Sequence, residues 1–140
     1  MTSVTESNRA IVTGIMEALS RGDLQPFGEA MADDFTWHMI GTTPWSGTFT
    51  GKAHIRERLT RPLFTQFGTH YTNTPKRILA DADFVVVECR GNVTTKTGKP
   101  YCNTYCLVIR MHEGKMVELT EYLDTDLVNS ALEPPSWAVA

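Results

Sequence analysis

The chain has 140 residues, 41% hydrophobic and 21% charged, which predicts one folded domain spanning residues 1–140. Its 13 basic and 16 acidic residues are scattered and give a formal net charge of -3, so nucleic acid and anionic membranes are not expected partners. We expect neither export nor membrane insertion, because no signal core or bilayer-length apolar run is present. Three cysteines without CxxC spacing indicate free thiols in a reducing cytoplasm.

The first half of the chain is predicted to be mainly helical. Apolar residues at helical spacing predict a first helix that is capped at Ser7 or Asn8 and ends near Gly22. Further elements follow in chain order: a second helix from the cap Asp23 to about residue 33, a short strand at 35–40, an irregular loop at 41–51, and a third helix at 52–64 that Pro62 bends or ends.

The second half changes to the period-2 pattern of β-strands. Four strands are expected, at 71–80, 83–95, 100–111 and 115–123, joined by turns as an antiparallel meander. Three N-terminal helices followed by a strongly curved, mostly antiparallel sheet make an α+β fold, and the curved sheet leaves a cone-shaped space against the helices.

Glu121 is the leading candidate for chemistry. In the last predicted strand it shares a phase with Val117, Leu119 and Leu123, so its carboxylate is expected among aliphatic side chains. Loss of hydration there would raise its pKa and let it give or take a proton near neutrality. The alternative is a structural acid at the sheet margin or paired with an inward-facing arginine.

Six short segments resemble the nuclear transport factor 2-like superfamily, in the branch that contains SnoaL-like polyketide cyclases, ketosteroid isomerases and limonene epoxide hydrolase. They are SRGDL at 20–24, ADDFTW at 32–37, WSGTFTG at 45–51, GKPY at 98–101, EGKMV at 113–117 and EYLD at 121–124. The resemblance covers nearly the whole chain and implies a cone-shaped α+β barrel that forms a homodimer through the outer face of its sheet.

The resemblance also implies a group of charged residues in the cavity. Periodicity alone places Glu88, Arg90 and Asn92 on a solvent-exposed face, but the corresponding phase in the family faces the cavity. Epoxide hydrolases of the group carry an arginine and an aspartate at the positions of Glu88 and Arg90, and a third acid at Glu121. The resemblance therefore implies a triad here in which the acid, Glu88, precedes the arginine, Arg90, in place of the family's order. The family's water-holding tyrosine and asparagine align with Trp37 and Met39, which argues against a true epoxide hydrolase.

Other candidate substrate-binding residues come from strand phase and alignment. His38 could replace the catalytic aspartate of ketosteroid isomerases, although it could equally be structural or exposed. Asn103 and Tyr105 share a phase and could donate hydrogen bonds to a carbonyl or enolate oxygen, unless Tyr105 only packs its ring in the core. Leu123, in the phase of Glu121, would line the cavity with Trp37.

These residues favour a small cofactor-free isomerase or lyase, of the cyclase type, that performs acid-base chemistry on an apolar carbonyl compound. One alternative is a ligand-binding module in which Glu88, Arg90 and Glu121 form a closed ion network, and another is a scaffold dimer. No cofactor is implied, because nucleotide-binding glycine motifs are absent from the sequence. No metal is implied, because the four histidines share no i,i+4 spacing and lie near no cysteine pair.

Overall fold

The helices surround one face of a single sheet. A computed structural model describes residues 2–138, with elements in this order: α1 (Val4–Ser20), α2 (Gln25–Ala30), β1 (Met31–Met39), β2 (Gly47–Thr50), α3 (Lys52–Ile55), a π-helix (Arg56–Thr60), α4 (Arg61–Phe64), β3 (Thr72–Asp81), β4 (Phe84–Asn92), β5 (Thr104–His112), β6 (Lys115–Leu123), α5 (Thr125–Ala131) and a 3₁₀ turn (Ser136–Ala138).

The sheet is six-stranded, open and mostly antiparallel, in the order β2-β1-β6-β5-β4-β3. β1 runs parallel to β6, and every other neighbouring pair is antiparallel. The predicted α+β class is confirmed, as is the meander of the last four strands. The parallel pairing brings the N-terminal strand beside the last one, so that Met39 lies opposite Glu121.

Helix α1 closes one side of the fold through an apolar face. Val12, Ile15, Met16 and Leu19 are buried on it, as their helical spacing predicts. The helix begins earlier than expected, because the Ser3 hydroxyl accepts a hydrogen bond from the backbone N–H of Glu6 at 3.1 Å and caps it.

Other element boundaries also differ from the sequence predictions. The short strand β2 pairs with β1 inside the segment expected to be a loop. The predicted third helix is continuous in space but contains a π-helical turn. Helix α5 was not predicted; the Asp124 carboxylate caps it by accepting hydrogen bonds from the backbone N–H groups of Asp126 and Leu127, at 3.0 and 3.3 Å. No helix within residues 2–138 has the length and apolar character needed to cross a membrane.

Candidate active site

A cavity of about 570 Å³ lies between the helices and the inner face of the sheet. Its wall is mainly aliphatic and aromatic, with contributions from α1, α2, the helical segment 52–64 and strands β1, β5 and β6. Cavities of this size accommodate small organic ligands. The chemistry that the cavity can support therefore depends on the few polar side chains in its wall.

Glu121 projects into this cavity from β6. It is only 7% exposed and lies in the wall between Leu107 and Met39, its partners on the two neighbouring strands. Burial removes water from the carboxylate and raises its pKa from an ordinary 4.5 to about 8, an effect that the nearby Trp37 indole partly opposes. Among residues 2–138, the Trp37 indole N–H is the one donor close enough to lower the pKa of this carboxyl, although the two groups lack the geometry of a full hydrogen bond. The predicted inward orientation of Glu121 is confirmed. With this pKa, the Glu121 carboxyl is protonated in most protein molecules at pH 7.

Trp37 lines the cavity on β1, close to Glu121. Its ring is held edge-on by Phe27 and Phe35, with ring centroids 5.7 and 6.2 Å away. Its buried indole Nε1–H has no hydrogen-bond partner within the described part of the chain. A buried donor without a well-formed hydrogen bond is unfavourable, so this N–H can donate either to the Glu121 carboxyl or to an oxygen atom of a molecule in the cavity.

Three tyrosines lie near Glu121 on the inner side of the sheet. Tyr105 on β5, Tyr71 and Tyr101 all line the cavity. Burial raises the pKa of Tyr71 and Tyr105 well above the ordinary value of 10 and that of Tyr101 to about 12. Their hydroxyls are therefore neutral donors at physiological pH. Tyr105 is both a core ring and a cavity residue, so the two interpretations of its position are compatible.

Gly91 on β4 makes room for two of these rings. A Cβ atom added there would lie 3.2 Å from Tyr105 Cε2 and 3.3 Å from the Tyr71 hydroxyl, which is closer than ordinary packing allows. Asn73, opposite Gly91 on β3, donates a hydrogen bond from Nδ2 to the Tyr71 hydroxyl at 3.0 Å. Tyr71 and Asn73 were not predicted as site residues, although both lie in the strand predicted at 71–80 and share one strand phase.

Glu88, Arg90 and Asn92 lie on the outer face of β4, and the expectation that this phase faces the cavity is wrong. Alternate residues, including Val85 and Val87, are buried on the inner face. The Glu88 carboxylate pairs with Arg77 Nε at 3.2 Å. The triad with Glu121 is therefore not assembled, and neither is the closed ion network, because these charges and the cavity lie on opposite faces of the sheet.

His38 also lies on the outer face, so its proposed role as a base is wrong. Its ring nitrogens contact the Thr48 hydroxyl at 3.0 Å and the Glu118 carboxylate at 2.9 Å. Glu118 in turn lies 3.3 Å from Arg110 Nε. The hydrogen bond from His38 lowers the pKa of Glu118. The three side chains form a surface group on the opposite side of the sheet from Glu121.

Asn103 is fully buried but does not line the cavity, so its predicted contact with substrate is wrong. Its Oδ1 accepts hydrogen bonds from the backbone N–H groups of Thr104 and Asp124, at 2.8 and 3.0 Å. Its Nδ2 donates to the Asp124 carbonyl at 3.1 Å and to the Tyr101 hydroxyl at 3.3 Å. Every polar atom of the side chain is thus used by the protein. Leu123 packs against the core and is likewise absent from the cavity wall.

Comparison with solved structures gives the same fold. An NTF2-like protein from Burkholderia thailandensis is 25% identical, with a TM-score of 0.76 over 96% of this chain and 100% of that one. A protein from Jannaschia sp., proposed to be a SnoaL-like polyketide cyclase, is 14% identical, with a TM-score of 0.75 and coverage of 96% and 97%. An LEH-like epoxide hydrolase from M. tuberculosis is 20% identical, with a TM-score of 0.69 and coverage of 93% and 92%.

Comparison with curated proteins gives no match. A family model for the SnoaL-like domain matches residues 12–119, from the middle of α1 to the middle of β6, which include β1 and most of the meander. That match and the structural neighbours agree with the segments that suggested the resemblance. The chain belongs to the SnoaL-like domain family, within the NTF2-like superfamily.

Proposed function

We propose that this protein is a cofactor-free enzyme of the isomerase or cyclase type, which transfers a proton at the carbon next to a carbonyl group in an apolar substrate. The observation that carries this proposal is the Glu121 carboxyl, buried in the wall of an apolar cavity with a pKa of about 8. Shared fold alone does not define an activity in this superfamily, so the proposal rests on this side chain and its surroundings.

In the proposed reaction, ionised Glu121 removes a proton from the α-carbon and the C–H electron pair moves into an enolate. The resulting carboxylic acid then returns the proton to another carbon or to the enolate oxygen. A pKa of about 8 makes this carboxylate a stronger base than an ordinary glutamate, while about one molecule in ten is ionised at pH 7. The rate should therefore rise with pH up to about 8.

Developing negative charge on the carbonyl oxygen needs hydrogen-bond donors. One candidate is the Trp37 indole N–H, which is close enough to Glu121 to lower its pKa, and a second is the neutral Tyr105 hydroxyl on the adjacent strand. Both are fixed by packing rather than exposed to water. We assign them the role of holding the substrate oxygen while Glu121 exchanges the proton.

The test is exchange of α-hydrogens in deuterium oxide across a panel of conjugated polycyclic ketones, followed by mass spectrometry. The wild type should accelerate exchange, and Glu121→Gln should reduce that acceleration about a hundredfold or more. Glu118→Gln is the matched control, since it makes the same change on the outer face of the same strand. Wild-type exchange rates in Glu121→Gln would remove Glu121 from the mechanism.

A ligand-binding role without catalysis is the second candidate function. It is favoured by the absence, within residues 2–138, of a second titratable side chain hydrogen-bonded to Glu121 that could relay its proton. In that case the ketones would bind, as seen by thermal stabilisation, but wild-type protein would leave their α-hydrogens unexchanged.

A further inference from the structure

The mouth of the cavity is positively charged. We define the cavity mouth as the exposed or half-buried polar residues of the cavity wall on α2 and on the helical segment 52–64. On the second of these it carries Lys52, Arg56 and Arg61, and on α2 it carries Glu29. Among residues 2–138, none of the three cations forms an ion pair. The mouth therefore has an excess of positive charge, although the chain as a whole has a net charge of -3.

The π-helix at Arg56–Thr60 places the two arginines on the same side. The backbone N–H of Arg61 donates to the carbonyl of Arg56, five residues earlier, so residue 61 completes one wide turn above residue 56. In a regular α-helix, side chains five residues apart point about 140° away from each other. The same turn keeps Ile55 and Leu59 buried in the cavity wall. The irregular turn thus combines an apolar wall with two guanidinium groups at its rim.

We propose that the cavity mouth binds a carboxylate at the solvent-facing end of an otherwise apolar ligand. This inference rests on the proposed function for the identity of the site, and it adds the chemical class of the substrate: a carbonyl compound with a free carboxylic acid. Guanidinium groups bind carboxylates through paired N–H donors. The charged end must stay at the rim, because the interior around Glu121 disfavours ionised groups.

The first measurement compares two fluorescent probes that differ by one anionic group. N-Phenylnaphthylamine is neutral, and anilinonaphthalene sulfonate carries a sulfonate on a similar ring system. Both should bind in the cavity at neutral pH, and the anionic probe should bind more tightly. Its advantage should shrink when salt is raised from about 0.01 M to about 0.1 M, because exposed charges become screened. If the advantage is absent at low salt, the proposal is wrong.

Four variants test whether the tighter binding of the anionic probe comes from the cavity mouth. Arg56→Gln and Arg61→Gln should each weaken the anionic probe about two- to fivefold and leave the neutral probe unchanged. Arg58→Gln is the matched control: it removes the same charge from the same π-helix, but Arg58 stacks on Trp137 at 5.6 Å and does not line the cavity. Glu29→Gln should strengthen binding of the anionic probe. Equal losses in all three arginine variants would indicate only a general charge effect and would overturn the proposal.

Displacement of N-phenylnaphthylamine tests the carboxylate itself. Dodecanoate should displace the probe at lower concentration than dodecanol, and Arg56→Gln/Arg61→Gln should remove that difference. If dodecanol competes as well as dodecanoate in the wild type, the rim does not select acids. Failure of the neutral probe to bind at all is a distinct result, because it would remove the ligand cavity and the proposed function with it.

Discussion

At the scale of a single residue, Glu121 destabilises the fold that holds it. An acid with a pKa of about 8 in the folded state and about 4.5 in the unfolded state takes up a proton on folding between these two pH values. The folded protein then binds more protons than the unfolded chain, so the free energy of unfolding falls as pH rises from about 4.5 to about 8. Such an unfavourable group is expected where function requires it.

Replacement of Glu121 by glutamine should therefore stabilise the protein increasingly as pH rises. Glutamine stays neutral, so the gain in the free energy of unfolding should be small at about pH 4, about 1 kcal/mol at pH 5, and about 4 kcal/mol by about pH 8. Urea unfolding across this pH range measures it. Glu118→Gln should show no such rising gain, because the pKa of Glu118 is shifted downwards. A constant difference between Glu121→Gln and wild type would contradict the raised pKa.

At the scale of the element, periodicity predicted which residues share a face better than which face looks inward. On β6 the apolar phase contained Glu121, so the inner face was identified correctly. On β4 we followed the family alignment instead of periodicity, and the alignment assigned the wrong face of the strand to the cavity. An alignment that is shifted by one residue moves every side chain of a strand to the other side of the sheet. The valines of that strand were the correct guide, since apolar side chains decide which face is buried.

Some elements could not be predicted because their cause lies elsewhere in the chain. The four residues of β2 are a strand only because β1 offers an edge to pair with. The π-helical turn lies in a segment whose apolar residues Ile55 and Leu59 are both buried in the tertiary structure. The rings of Tyr71 and Tyr105 can both lie against β4 because Gly91 has no side chain there. These contacts join residues that are far apart in the chain, so a local sequence pattern cannot predict them.

Asn103 shows how a buried polar residue joins elements instead of binding substrate. It connects the start of β5 to the junction between β6 and α5 through its bonds with Thr104 and Asp124. Asn103→Ala should lower the free energy of unfolding by about 2 to 4 kcal/mol, because two backbone N–H groups lose their partner. Asn92→Ala, on the exposed outer face, should change it by about 0.5 kcal/mol or less. Thermal or urea unfolding distinguishes the two; similar small effects would show that the Asn103 connections are weak.

At the scale of the whole molecule, the cavity is a departure from ordinary packing. Protein interiors are close-packed, with few voids larger than a water molecule, yet this chain keeps about 570 Å³ open behind its sheet. Around Glu121 the wall consists mainly of apolar and aromatic side chains and neutral tyrosine hydroxyls. Filling the space with an apolar guest would remove the remaining water from Glu121 and further disfavour its ionised form.

Occupancy and protonation of Glu121 should therefore be linked. A neutral apolar ligand such as N-phenylnaphthylamine should bind the protonated protein best, so its affinity should be constant below about pH 8 and fall, by at most tenfold for each pH unit, above it. Fluorescence titrations from about pH 6 to about pH 9.5 measure this profile. Glu121→Gln has no proton to lose at that position, so its affinity should stay flat over the same range. Parallel profiles in the two proteins would mean that the ligand occupies the cavity without approaching the Glu121 carboxyl.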